Sequence, residues 1–237
     1  MGCDYWSDEE GFLAAINKTR ITGICGSGII EVMAELFLAG VIQSDGVING
    51  DKSKLSSRIV KNGKTWSYQL VDVQLAKLNS QNVPRKNNLN ESATVVITQN
   101  DVRAIQLAKA TLYASVKLLM DKLKTDRLDR ICFAGAFGSH IDPFYAMLLG
   151  LIPDCPLEEV VSVGNAAGTG ARIALSCINA RREIEAEVVK MEKIETATES
   201  NFQEYFINAM AIPHALDKFE NLEKKITLPI KKTGSQI

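Results

Sequence analysis

Residues 131–154 read ICFAGAFGSHIDPFYAMLLGLIPD. Residues 130–134 (RICFA) have the content of a core strand, and that strand ends at glycine. The turn Ala134-Gly135-Ala136-Phe137-Gly138-Ser139 follows, and residues 140–149 read as a short helix or turn. Glycine adopts positive φ without steric cost and lets a ligand approach the backbone closely. A strand feeding a glycine turn and then a helix is the repeating unit of α/β folds, whose ligands sit at the strand ends.

The same unit recurs on both sides. Upstream, ITGI (21–24) leads into Gly23-Ile24-Cys25-Gly26-Ser27-Gly28. Ile29, Ile30, Met33, Leu36, Phe37 and Val41 then recur mostly at spacings of 3 and 4, the mark of a helix with one buried face. Ser27 is its expected N-cap, and Gly40 lies near its C-terminal end. Downstream, residues 160–163 read as a strand that meets Gly164-Asn165-Ala166-Ala167-Gly168-Thr169-Gly170, followed by a helix through Ile178. In between, ATVVIT (93–98) predicts a strand leading into a long helix with the stripe Val102, Ile105, Ala108, Leu112, Val116, Leu119 and Leu123. Thr98 and Asp101 resemble a capping box with Asp in place of Glu.

The remaining segments are more polar. Residues 43–55 and 79–92 read as surface loops, and 58–71 as a hairpin turning at Asn62-Gly63. Residues 188–195 have strand content and 201–210 helix content. After Pro213 the lysine-rich chain predicts surface or disorder.

Composition bounds the function. The 237 residues are 46% hydrophobic and 23% charged, with net charge −1, which is an ordinary globular balance. A near-neutral chain lacks the basic surface that nucleic acid requires. No run reaches the roughly 18 apolar residues of a membrane helix; the longest, 143–153, is bounded by proline. Cysteines at 3, 25, 132, 155 and 177 offer no compact metal spacing and predict reduced, mostly buried thiols. No metal ligands stand out, and a cytoplasmic location is expected. The N-terminal MGCDYW lacks the Ser or Thr at position 6 of a myristoylation signal, having Trp6 instead.

Three glycine turns in one chain favour a nucleotide, because a helix N-terminus offers free N–H groups to phosphate. Each turn alone is equally well explained by tight helix–strand packing. None is a Walker A loop, and none carries the dinucleotide fingerprint with its ribose-binding acid.

Four segments, 21–42, 97–120, 131–154 and 163–175, resemble the C-terminal portion of the reductive activators of corrinoid-dependent proteins. The stretches 3–12 and 188–206 are similar to the same family, so the likeness runs over about residues 1–213. That family belongs to the superfamily of actin, sugar kinases and heat-shock chaperone ATPases. The resemblance implies an actin-like (ribonuclease H-like) α/β ATPase portion over 21–178, with a small hairpin-containing insertion around 43–92. Residues 1–20 form an N-terminal segment, 179–213 an extension packing on the domain, and 214–237 a tail. Full-length members carry a plant-type [2Fe–2S] domain and couple ATP to uphill electron transfer, returning Co(II) corrinoid to Co(I). ATP and Mg²⁺ are thus implied, with a corrinoid protein of a methyltransferase system as partner and a homodimer as a further expectation.

Mapped onto the motifs, Phe133 to Ser139 looks like the adenosine turn, which assigns Ala134, Gly135, Ala136, Phe137, Gly138 and Ser139 to the nucleotide. Gly164 and Gly168 belong to the later connecting motif, where small residues serve packing and motion. Gly26, Ser27 and Gly28 resemble the helix start after the second phosphate motif, with Glu31 in reach of the ribose or, more plainly, an exposed helix-face carboxylate. The acid-bearing phosphate hairpins and the cluster cysteines have no counterpart here, so the chain reads as a C-terminal piece with no identifiable catalytic residue. Two other readings stand beside this one: a non-catalytic dimerisation or docking module, and a small-molecule kinase. The cluster Ser139, His140 and Asp142 lies along one turn, which does not suit a triad. Asp101, Arg103 and Gln106 read as capping and surface residues, and the charged run 181–199 as a solvated face.

Overall fold

A computed structural model describes residues 23–71 and 95–229. Expectations for 1–20, 79–92, the start of the 93–98 strand and the last residues of the tail lie outside that range. The chain divides into two compact units. Of the described residues, one holds 23–25, 48–71 and 95–101, and the other holds 26–47 and 102–229.

The first unit is a three-stranded antiparallel sheet of β1 (Ile59–Asn62), β2 (Thr65–Val71) and β3 (Val95–Thr98), in that order. Asn62 pairs with Thr65, so the hairpin turns on Gly63-Lys64 rather than on Asn62-Gly63. Gly63 has φ +61° and Lys64 does not share positive φ, the arrangement of a turn with glycine in its first central position. The 93–98 strand therefore joins the hairpin, through Tyr68–Ile97 pairing, instead of a core α/β sheet. Its short apolar run carries no information about which neighbour it takes. The expected surface loop 43–55 contains a buried Ile48, whose N–H donates to Gln99 Oε1 at 2.9 Å. A 3₁₀ turn follows over Gly50–Lys54. Gly50 is required there, since a Cβ would fall 2.1 Å from Trp66 Nε1.

The long helix α2 (Gln99–Leu123) starts as the capping box predicts. Thr98 N–H donates to Asp101 Oδ2 at 2.8 Å, and Asp101 N–H donates to Thr98 Oγ1 at 3.2 Å. Such a reciprocal cap contributes about 1 kcal/mol.

In the second unit, α1 (Gly26–Leu38) buries Ile30, Met33, Leu36 and Phe37 as expected. It begins at Gly26, so Ser27 lies inside the first turn rather than at the cap. Helix α1 packs on a later helix (Pro143–Leu149), where Tyr145 donates its hydroxyl to Glu35 Oε1 at 2.6 Å. Gly40, with φ +67°, closes α1.

The buried face of α2 differs from the predicted stripe. Val102 is buried, but Leu112 and Leu119 are 45% and 51% exposed. Gln106, Lys109, Tyr113 and Leu118 face inward instead. The polar pair is held by carbonyls of the C-terminal segment. Lys109 Nζ donates to the carbonyls of Ala209 (2.7 Å), Ala211 (2.5 Å) and Pro213 (2.9 Å). Gln106 Nε2 donates to those of Asp45 and Met210 at 3.0 and 2.8 Å. A buried polar group is tolerated when it is bonded in this way. Burial pushes the Lys109 amine down to about 7.

That clamp corrects the reading of the tail. Beyond Pro213 the chain packs His214, Phe219 and Leu222 into the interior. His214 stacks on Tyr113 with ring centroids 4.7 Å apart, and its Nδ1 accepts the Asp217 amide at 2.8 Å. Asp154 accepts from the amides of Asn221 and Leu222, holding the short helix Glu220–Glu223.

The strand content of 188–195 is not realised: Val188 ends a helix (Ile178–Val188), and among the described residues no strand follows. The helix expected over 201–210 forms over Phe202–Asn208. Among the described cysteines only Cys155 is buried; Cys25, Cys132 and Cys177 are exposed and form no disulfide, contrary to the expectation of mostly buried thiols.

Candidate functional site at the ends of two parallel strands

Strands β4 (Ile131–Phe133) and β5 (Val160–Ser162) pair in parallel, with Cys132 opposite Val161. Parallel strands bring their C-terminal ends side by side. The second glycine turn leaves β4 and the third leaves β5, so both emerge at one end of the pair. The parallel ladder continues past the strands: Val163 N–H donates to Phe133 O at 2.8 Å, and Gly135 N–H donates to Gly164 O at 2.7 Å.

Both glycines of this last bond have positive φ, +87° at Gly135 and +63° at Gly164. A Cβ at either would meet nothing within 4 Å. Glycine is needed there for its conformation, and the space beside it is open. The helix α3 (Gly135–Gly138) is a single turn. Ser139 Oγ donates to Gly135 O at 2.8 Å, and Asp142 caps α4 (Pro143–Leu149) by accepting Phe144 N–H at 2.7 Å. Neither group is aligned on His140, so no triad forms.

The first turn joins the other two. A Cβ on Gly26 would lie 2.8 Å from Phe137 Cε2, so the start of α1 sits directly against that ring. Phe137 is nonetheless 55% exposed. Ala134 and Ala136 are exposed, Gly138 is buried against Phe133, and Ser27, Gly28 and Glu31 are half-buried on α1. It is Glu35, one turn beyond Glu31, that receives the Tyr145 hydroxyl; that bond, with burial, raises the phenol above its ordinary range.

Gly168 serves the helix α5 (Ala166–Ser176). Its N–H donates to Asn165 Oδ1 at 2.9 Å, and a Cβ would fall 2.5 Å from Asn165 Nδ2. Asn165 is thus a structural member that glycine spacing does not reveal, although Asn three residues before a glycine is an N-cap pattern.

The assembled turns offer backbone, two glycines in left-handed conformation and one aromatic face. They hold no lysine or arginine from 134 to 139 or from 164 to 170. That chemistry fits an uncharged nucleoside better than a triphosphate. Among the described residues, no three His, Cys, Asp or Glu side chains are grouped to hold a metal ion. A polar cleft of about 560 Å³ lies elsewhere, lined by Tyr113, Lys117, Asp154, Asp217 and Asn221 among others and by no glycine-turn residue. No described helix is long and apolar enough to cross a membrane.

Comparison with known proteins places these strand-end turns in an actin-like (ASKHA) ATPase domain and gives the family. The family described as "C-terminal domain of RACo the ASKHA domain" matches residues 6–223. The chain belongs to that family. It is 37% identical over 201 residues to "Corrinoid activation enzyme RamQ" of Eubacterium limosum, covering 83% of this chain and 32% of the relative. A solved "Reductive activator for corrinoid,iron-sulfur protein" superposes with TM-score 0.65 at 29% identity, covering 81% of this chain and 28% of that one. The chain thus spans about a third of the length of the relatives it matches.

Proposed function

We propose that this chain is the C-terminal part of the ATPase domain of a reductive activator, and that it supplies the adenosine side of the nucleotide site. The observation that carries the reading is the convergence of three turns, through the Gly135–Gly164 hydrogen bond and the contact of Gly26 with Phe137. Gly135 and Gly164 let a nucleoside approach the backbone, Phe137 offers an aromatic face to a base, and Glu31 is the side chain on α1 assigned to the ribose.

In this reading the whole activator uses ATP to return a Co(II) corrinoid to Co(I) for a cytoplasmic methyltransferase system, and the corrinoid protein is its partner. Phosphate and Mg²⁺ are held by acids outside the three turns, and the [2Fe–2S] cluster by a separate domain. The isolated chain is therefore expected to show no ATPase activity.

The test is a chimera in which this chain replaces the matching third of RamQ, assayed by the spectral change of Co(II) to Co(I) corrinoid with and without ATP. ATP-dependent activation that Gly135→Val abolishes is the expected result. Activation indifferent to Gly135→Val would remove the adenosine assignment, and turnover of ATP by the 237-residue chain alone would overturn the reading of it as a part.

A further inference from the structure

Helix α1 is anchored at two places. At its start, a Cβ on Gly26 would fall 2.8 Å from Phe137 Cε2. Farther along, Glu35 Oε1 accepts the Tyr145 hydroxyl at 2.6 Å. A helix rises about 1.5 Å per residue, so the two contacts stand roughly 13 Å apart along its axis. The first ties α1 to the turn between β4 and α4, and the second ties it to α4 itself. The buried stripe of Ile30, Met33, Leu36 and Phe37 fixes which face of α1 turns inward. The bond from phenol to carboxylate sets the rotation more finely, because a hydrogen bond to an ionised group is short and directional.

Glu31 lies between these two fixed points, one helical turn before Glu35 and on the same face. The Tyr145 phenol lies within electrostatic reach of three carboxylates, those of Glu35, Asp142 and Glu31. Two of them are engaged: Glu35 takes the phenol, and Asp142 accepts the Phe144 amide at 2.7 Å. Glu31 is half-buried and makes no hydrogen bond or ion pair with another described residue. The phenol O–H also offsets the negative charge of Glu35, which at this spacing forms a like-charge pair with Glu31. We propose that Tyr145 is a positioning residue for the ribose of the nucleotide: its hydrogen bond to Glu35 holds α1 in the rotation at which the Glu31 carboxylate accepts the ribose hydroxyls. The inference rests on the adenosine reading of the turns and adds the pair that keeps the ribose acceptor in place.

The test titrates the 237-residue chain with ATP and with 2′,3′-dideoxy-ATP, which lacks both ribose hydroxyls, and follows the amide shifts of Gly135 to Gly138. The native chain is expected to bind ATP at least about fivefold more tightly than the dideoxy nucleotide, the scale of one charge-assisted hydrogen bond at an open site. Tyr145→Phe and Glu35→Ala should bring that ratio close to one by weakening ATP alone, as should Glu31→Ala. Glu35→Gln, whose amide oxygen still accepts the phenol, should keep it. Glu35 is exposed, so its variants leave the buried stripe of α1 intact. A merely structural contact would lower the affinity for both nucleotides together and leave the ratio unchanged. A ratio near one in the native chain, or a ratio that survives Tyr145→Phe and Glu35→Ala, or Glu31→Ala, would overturn the proposal and leave the adenosine turns standing. Absence of ATP shifts at Gly135 to Gly138 in the native chain would instead overturn the adenosine reading, and this inference with it.

Discussion

Gly135 donates its amide to the carbonyl of Gly164 at 2.7 Å, and both residues hold positive φ. One hydrogen bond thus ties the exit of β4 to the exit of β5 and brings two sequence motifs 29 residues apart into a single rim. The cost of substituting either glycine is conformational, because no atom lies within 4 Å of where a Cβ would stand.

Gly135→Ala is accordingly expected to destabilise the chain by roughly 1 kcal/mol through its left-handed backbone. Chemical denaturation checks this. Glycine and D-alanine should behave alike at the position, which semisynthesis can test; if L-alanine were neutral, the left-handed conformation would be wrong.

Lys109 reaches three carbonyls, of Ala209, Ala211 and Pro213. Lys109→Met removes all three donors and should cost about 3 kcal/mol, since orphaned buried acceptors keep their desolvation penalty. The pH dependence follows from the amine, lowered by burial from 10.5 to about 7. Above pH 7 the unfolded chain binds one proton more than the folded chain at this site, so stability rises with pH from about 7 toward 10. Urea unfolding at pH 7, 8 and 9 should show the rise in the native chain and its absence in Lys109→Met.

Tyr113 donates to Asp217 Oδ2 at 2.7 Å, and Lys117 lies 3.2 Å from the same oxygen. Burial pushes the Asp217 carboxyl up, but the Tyr113 hydrogen bond and the Lys117 charge outweigh it and hold the group below its usual value. Its contribution is present above the ordinary carboxylate range and is lost as pH falls through the lowered folded value. Tyr113→Phe should cost about 1.5 kcal/mol at neutral pH, and the difference from the native chain should shrink below about pH 4. A difference unchanged at acid pH would assign the loss to packing alone.

Much of this is legible in the residues. The strand–turn–helix units that leave β4 and β5, the hairpin, the Thr98–Asp101 cap and the buried face of α1 all follow from local patterns. The buried face of α2 does not, because apolar spacing marks Lys109 and Gln106 as solvent-facing, whereas carbonyls from a segment about 100 residues later make their burial favourable. The tail is obscured for the same reason: its lysines mask the anchors His214, Phe219 and Leu222. For the site, glycine spacing locates each turn, but only the parallel pairing of β4 with β5 shows that two of them share a rim.

The most direct measurement is amide chemical-shift mapping of the 237-residue chain titrated with ATP. Weak binding, on the order of millimolar, is predicted, with shifts concentrated at Gly26, Gly135 to Gly138 and Gly164. Shifts centred on the Tyr113–Asp217–Asn221 cleft, or none at the glycine turns at saturating ATP, would contradict the assignment of the adenosine side to this chain.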